Sequence, residues 1–180
     1  DRQNVVNPVS LRRVIADKVS QQLMVKKMLT TTISSADAMA LASVNDKASK
    51  VMSLEDIGLA VGAKQIIAVE MIAFTESPDG GATMIPTAAC QIKVLNLETR
   101  TRMYPPADAE VAARFLEVHL PPVDPTLLRS RAGRLQIFND LAAELGLSIA
   151  EMFYEHEKRI TGGGLGPKAS SWERHLRSED

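Results

Sequence analysis

Hydrophobic positions along the chain change period several times, and each change marks an element. Leu11, Val14, Ile15, Val19 and Leu23 recur every three or four residues, with Arg12, Arg13, Asp17 and Lys18 between them. That is the 3.6-residue period of an amphipathic helix. Asn7-Pro8 supplies its start: asparagine as the cap, and proline at the first helical position, where a missing N–H costs nothing. The spacing predicts a helix from residue 8 to about residue 26. Leu29-Thr-Thr-Thr-Ile33 is short and β-branched and predicts a strand. Ser34, with Asp37 three residues on, opens a short helix through Ala36, Met39 and Leu41. After a polar connector at 45–50, Ser53 and Asp56 repeat that capping pattern. Leu54, Ile57 and Val61 then share a face, and Gly62 stands where a helix stops.

The period then falls to two. Residues 65–74, Gln-Ile-Ile-Ala-Val-Glu-Met-Ile-Ala-Phe, predict a strand with apolar residues on both parities, hence a strand covered on both faces. Ser77-Pro-Asp-Gly-Gly81 is turn chemistry. From Thr87 to Leu97 the alternation is strict, with Ala88, Cys90, Ile92 and Val94 opposite Gln91 and Lys93. Leu97-Glu-Thr-Arg100 turns the chain into a third strand at 101–104, completing an antiparallel meander. Residues 109–120 fit two periods: Val111, Ala112, Phe115, Leu116 and His119 suit a helix, while Arg114, Leu116, Val118 and Leu120 suit a strand. The flanking prolines favour the strand, at a sheet edge. From Thr126, helical period holds through Leu128, Leu135, Phe138, Leu141, Ala142, Leu145, Ile149, Met152 and Phe153, with Gly133 and Gly146 as candidate interruptions. So wide an apolar stripe predicts a long C-terminal helix lying on the sheet. The fold class expected is α/β in the α+β sense: a three- to four-stranded, mainly antiparallel sheet with helices packed on it.

Length sets the domain count. One hundred and eighty residues suit one domain, read as 1–160, with a flexible Gly-rich and polar tail at 161–180. The tail glycines, Thr161-Gly-Gly-Gly-Leu-Gly-Pro167, follow a helix and run into a proline. A phosphate cradle follows a strand and opens a helix, so that reading fails. Charge is balanced, 21 Lys+Arg against 22 Asp+Glu, which argues against nucleic-acid binding by bulk charge. One cysteine, Cys90, allows no intramolecular disulfide and no cysteine-cluster metal site. No apolar run approaches the ~18 residues of a membrane-spanning helix.

Candidate chemistry is sparse. Of three histidines, His156 lacks a second histidine one turn away, as a helical zinc pair requires; near a helix C-terminus it reads as a dipole-compensating cation. His119 lies in the two-period segment, and His175 in the tail. Glu70 interrupts the most apolar strand, either as an exposed or paired acid or as a buried acid of raised pKa. Cys90, mid-strand between Ala88 and Ile92, reads as a buried, inert thiol. No catalytic, cofactor or metal residues are assigned. The one enzymatic, metal-binding or small-ligand alternative would be built from Glu70, His119 and His156, if they converge.

One constellation resembles a known group. A helix, a short strand, a helix-loop-helix ending Leu59-Ala-Val-Gly-Ala63, a strand Gln-Ile-Ile-Ala-Val-Glu, and a strand and turn from Ile92 to Asn96-Leu-Glu-Thr-Arg100 are similar to a group of bacterial envelope proteins, and the closing segment from Leu141 to Tyr154 is similar to lipoproteins of this broad kind. The group includes the curli-secretion lipoprotein, the lipoprotein activators of penicillin-binding proteins and the N-terminal domain of the Tol-system propeller protein. Arg100 departs from the glycine usual in that turn. The resemblance covers about residues 5–104 and implies a further strand before Asp1, hence a longer natural chain or a removed leader. It also implies a non-enzymatic protein-binding or self-assembling domain, lipid-anchored on the periplasmic side of the envelope, with no cofactor and no nucleic acid. Membrane contact would come only through an upstream anchor; a cytoplasmic location is the alternative. An edge strand and the first helix are the expected contact surfaces.

Overall fold

Strand register decides which residues of the sheet face the helices. In the computed structural model, which describes residues 8–47, 52–78, 80 and 82–156, the central strand is β2 (Met84–Asn96). It pairs along its whole length with β1 (Gln65–Pro78), antiparallel. Its other edge is shared by two short strands, β3 (Thr101–Tyr104) at 94–96 and β4 (Arg114–His119) at 87–92, both antiparallel to it. β3 and β4 therefore run in one direction, a single edge strand interrupted by residues 105–113. The meander and the strand reading of 109–120 are both as expected, and the fold is α+β with a four-stranded antiparallel sheet.

Cross-strand rows define two faces. Val69–Ile92–Arg114, Met71–Cys90–Leu116 and Phe74–Ala88–Val118 point to one side; Glu70–Gln91–Phe115, Ala73–Ala89–Glu117 and Thr75–Thr87–His119 point to the other. In β1 the first face changes parity between Met71 and Phe74, because Ile72 has no partner and forms a β-bulge. β1 is covered on both faces, as expected, only at its start, where Ala68 is buried and Ile66 lies against Gly58; beyond it Glu70, Ile72 and Thr75 are exposed. Its apolar residues occupy both parities partly because the bulge moves the covered face from odd to even positions.

The covered face carries α1 (Pro8–Val25) and α5 (Arg131–Glu151). Leu11, Ile15, Val19 and Leu23 of α1 and Leu141, Leu145 and Ile149 of α5 are buried against Ala88, Cys90 and Ile92. Each such aliphatic side chain contributes roughly 1.5–3 kcal/mol on burial. α5 lies on α1 as well as on the sheet, so the two helices share the work expected of the C-terminal helix alone. At the far end, Phe74 meets Phe138 edge-on (centroids 5.9 Å apart), and Arg134 Nη2 donates to Glu76 Oε1 at 2.7 Å, tying β1 to the first turns of α5. α2 (Ser35–Lys47) and α3 (Leu54–Ala60) sit outside this core. α3 is capped by Ser53 and stopped at Gly62 (φ +76°), as its sequence predicted. Its Gly58 lies against Ile66 and Leu97, closing one end of the second face.

Two expectations fail. Leu29–Ile33 forms no strand: only Leu29 turns inward, and Thr30–Ile33 are exposed, with no neighbour to pair. β-branched composition without a partner strand leaves a connector. The predicted helix from residue 126 divides into α4 (Pro125–Arg129) and α5 at Ser130 rather than at either glycine. Ser130 leaves helical geometry and its hydroxyl caps α5 by accepting from Gly133 N–H at 2.9 Å. A side chain at Gly133 would strike the Leu127 carbonyl, so that glycine permits the tight junction.

Gly146 stays within an unbroken helix because α1 crosses there. A Cβ at this position would lie 2.8 Å from the Ile15 carbonyl oxygen and 2.9 Å from Lys18 Cβ. Helix propensity favours alanine over glycine by ~1 kcal/mol, whereas overpacking against backbone costs about 1–3 kcal/mol. Gly146→Ala is accordingly expected to lower stability in urea unfolding, and Gly146→Leu to lower it further; a gain on Gly146→Ala would show that the helices part freely. Arg100 is the converse case, since it sits at φ +55° in the β2–β3 turn. There Arg100→Gly should raise stability by about 1 kcal/mol, measured the same way.

Candidate functional site

Glu70, His119 and His156 do not converge. Glu70 is exposed on β1, opposite Gln91, and His119 is exposed on β4, opposite Thr87; both lie on the uncovered face. They are two strands apart (~9.6 Å) and four residues apart along β2 (~13 Å). His156 belongs to the other side of the sheet. It follows α5, with Nε2 3.8 Å from Glu151 Oε2 and Nδ1 3.2 Å from the Tyr154 carbonyl oxygen. Glu70 is thus the exposed acid of its two readings, and His156 lies beside an acid of the last helical turn. Among the described residues no group of three or more His, Cys, Asp or Glu side chains is placed to hold a metal ion. His175 lies outside the described residues, as do the tail glycines.

The structure does assemble one polar chain that the sequence did not suggest. Thr87 Oγ1 is 2.9 Å from His119 Nδ1, and His119 Nε2 is 3.0 Å from Glu117 Oε1. Hydroxyl, imidazole and carboxylate in sequence are the parts of a nucleophile relay. Acyl transfer also needs donors aimed at a developing oxyanion in a site shielded from water. His119 and Glu117 instead stand about half exposed on an open sheet face. The arrangement follows from strand geometry alone: residues 117 and 119 share a face by alternation, and Thr87 is the cross-strand neighbour of His119. The retrievable signal was the spacing Glu-x-His on a strand, but only with the β2–β4 register in hand.

What is distinctive about this face is apolar. Phe115, in the row Glu70–Gln91–Phe115, is 52% exposed on it, and the residues unpaired at the irregularities of β1 and β3, Ile72 and Met103, are 52% and 48% exposed. Phe115 projects because its strand alternates, and Ile72 because it is the bulged residue. The expected contact surfaces change accordingly. The apolar stripe of α1 is consumed in the core along Leu11, Ile15, Val19 and Leu23. Among the described residues, no element covers the sheet edges β1 and β4 or the face between them around Glu70, Gln91 and Phe115.

No protein-family model and no curated protein matches this chain. Among solved structures, a hypothetical protein from Chlamydia trachomatis is similar at 10% identity and a TM-score of 0.39, over 77% of this chain and 82% of that one. Within the described residues, no helix is long and apolar enough to cross a membrane.

Cys90 is fully buried, and burial pushes its thiol from 9.0 up to about 11. The native protein should resist a thiol-specific reagent at neutral pH and react once unfolded in urea. The folded state keeps the proton up to about pH 11, while the unfolded chain loses it from about pH 9. In that window the unfolded state binds fewer protons, so this contribution to stability is intact below pH 9 and declines as pH rises through it. Comparison with Cys90→Ala across the same range isolates the slope.

Proposed function

We propose that this chain is a non-enzymatic protein-binding or assembly domain that works through the bare face of its sheet. The supporting observation is that both long helices lie on one side, while the other presents Phe115 to solvent, with the unpaired Ile72 and Met103 of β1 and β3 also exposed. Exposed aromatic and aliphatic side chains on a rigid strand scaffold are typical anchors of a protein contact. Glu70, Gln91, Glu117 and His119 supply the polar groups that would surround it. An envelope lipoprotein is the setting that the resemblance at Leu59–Ala63 and Asn96–Arg100 supports. The anchor in that reading is a lipidated cysteine upstream of Asp1.

Capture from envelope extract, with the size of the free domain measured in solution, tests the binding surface. Phe115→Glu and Ile72→Glu should each weaken capture or self-association by about thirty-fold or more, with unchanged circular dichroism. Equal capture by wild type and both variants would overturn the surface. Metabolic labelling of the full-length gene product with a clickable fatty acid tests the anchor, and an unlabelled product overturns it.

A further inference from the structure

We infer that the end of the molecule where α1 stops is a contact surface for an anionic lipid bilayer. Within ten residues, α1 and the connector after it expose four large apolar side chains. Val25 is 67% exposed, and Met24, Met28 and Ile33 are each at least 40% exposed. Leu23 and Leu29, interleaved with them, turn inward to the core. The apolar side chains that point outward therefore do so from a fixed backbone. That backbone is a closed helix end: Lys27 N–H donates to the Met24 carbonyl at 2.9 Å and Met28 N–H to the Leu23 carbonyl at 2.9 Å. Lys27 holds φ +57°, the left-handed position that usually carries glycine.

Charge selects the occupant. Lys26 and Lys27 stand inside the apolar cluster, and no acidic residue occurs between Asp17 and Asp37. Lys26 Nζ lies 5.4 Å from the centre of the Tyr154 ring, whose hydroxyl accepts from Gln22 Nε2 at 2.9 Å. This fixes a cation and an amphipathic aromatic ring beside the cluster. Of the neighbouring acids, Asp17 pairs with Arg13 at 3.5 Å and accepts from Ser35, and Glu151 lies 3.8 Å from His156, while Glu155 and Asp37 are exposed. Lysine is depleted in protein–protein interfaces. Beside apolar side chains, its long stem lets the ammonium reach phosphate while the cluster enters the acyl boundary. Two lysines flanked by exposed aliphatic side chains, without arginine, thus match an anionic bilayer better than a protein partner. The surface is separate from the bare sheet face and stands or falls independently of it.

The test is flotation of the full chain with phosphatidylcholine vesicles, with and without phosphatidylglycerol. The chain should float with the anionic vesicles, and less so as salt rises. Lys26→Gln and Lys27→Gln should each weaken binding about five-fold, and Val25→Ser and Met28→Ser by a similar factor. All four positions are exposed, and matching circular dichroism and thermal midpoints confirm folding. A second readout uses Val25→Cys carrying an environment-sensitive fluorophore, single labelling being secured by the burial of Cys90; its emission should shift to the blue on vesicle binding. No flotation, equal flotation with neutral vesicles, or flotation indifferent to the four substitutions would overturn the inference. So would loss of a protein partner on these substitutions without any vesicle binding.

Discussion

The close crossing of α1 over α5 at Gly146 is the constraint from which the architecture follows. At that crossing the two helix backbones nearly touch, and a glycine allows it. The seated pair buries Ala88, Cys90, Ile92 and Val118, and among the described residues no third long helix lies on the other side. The small residues on β2 belong to the same solution. Ala88 and Cys90 take little room, so Leu141, Leu145 and Ile149 can settle close to the strand. Burial of a thiol there raises its pKa as a by-product of packing.

Local rules carried well where the interaction they describe is itself local. Ser53 capping α3, Gly62 ending it, and the alternation of β2 depend on neighbours a few residues away, and each is found as read from the chain. They failed where a distant partner decides. Leu29–Ile33 has strand composition but no strand to join. The helical period from residue 126 crosses a break at Ser130, set by a serine cap and a glycine three residues on, which leaves the hydrophobic spacing intact. The parity of β1 misled because one bulged residue, Ile72, is invisible to a two-residue period. The turn at Asn96–Arg100 shows the opposite lesson. Arg100 occupies the left-handed conformation despite its side chain, with Asn96 Oδ1 accepting from the N–H groups of Glu98 and Thr99 to hold the turn.

The candidate chemistry was less legible than the fold for the same reason. Glu70, His119 and His156 are conspicuous in sequence because of their type, yet register sends them to separate places. Thr87 and Glu117 are unremarkable in sequence; Glu117 neighbours His119 by strand alternation, and Thr87 joins them only through the pairing of β2 with β4. In the helical reading of its segment, Phe115 shares a face with Val111, Ala112 and Leu116. Alternation from the buried Val118 places it on the outer face instead. A single change of face, rather than of residue type, separates a core aromatic from a contact residue.

The sheet edges explain why a binding reading favours the face over strand addition. A flat, long, uncharged edge invites pairing with any extended chain. Here β1 is kinked at Ile72 and carries Glu70 and Glu76. The opposite edge is divided into a four-residue and a six-residue strand by the excursion at 105–113, where Arg102 Nη2 donates to the Pro106 and Ala107 carbonyls at 3.0 and 3.2 Å. β4 adds Arg114, Glu117 and His119 along its short length. Both edges thus carry the features that discourage indiscriminate backbone pairing, while the side chains between them keep an exposed phenylalanine and isoleucine.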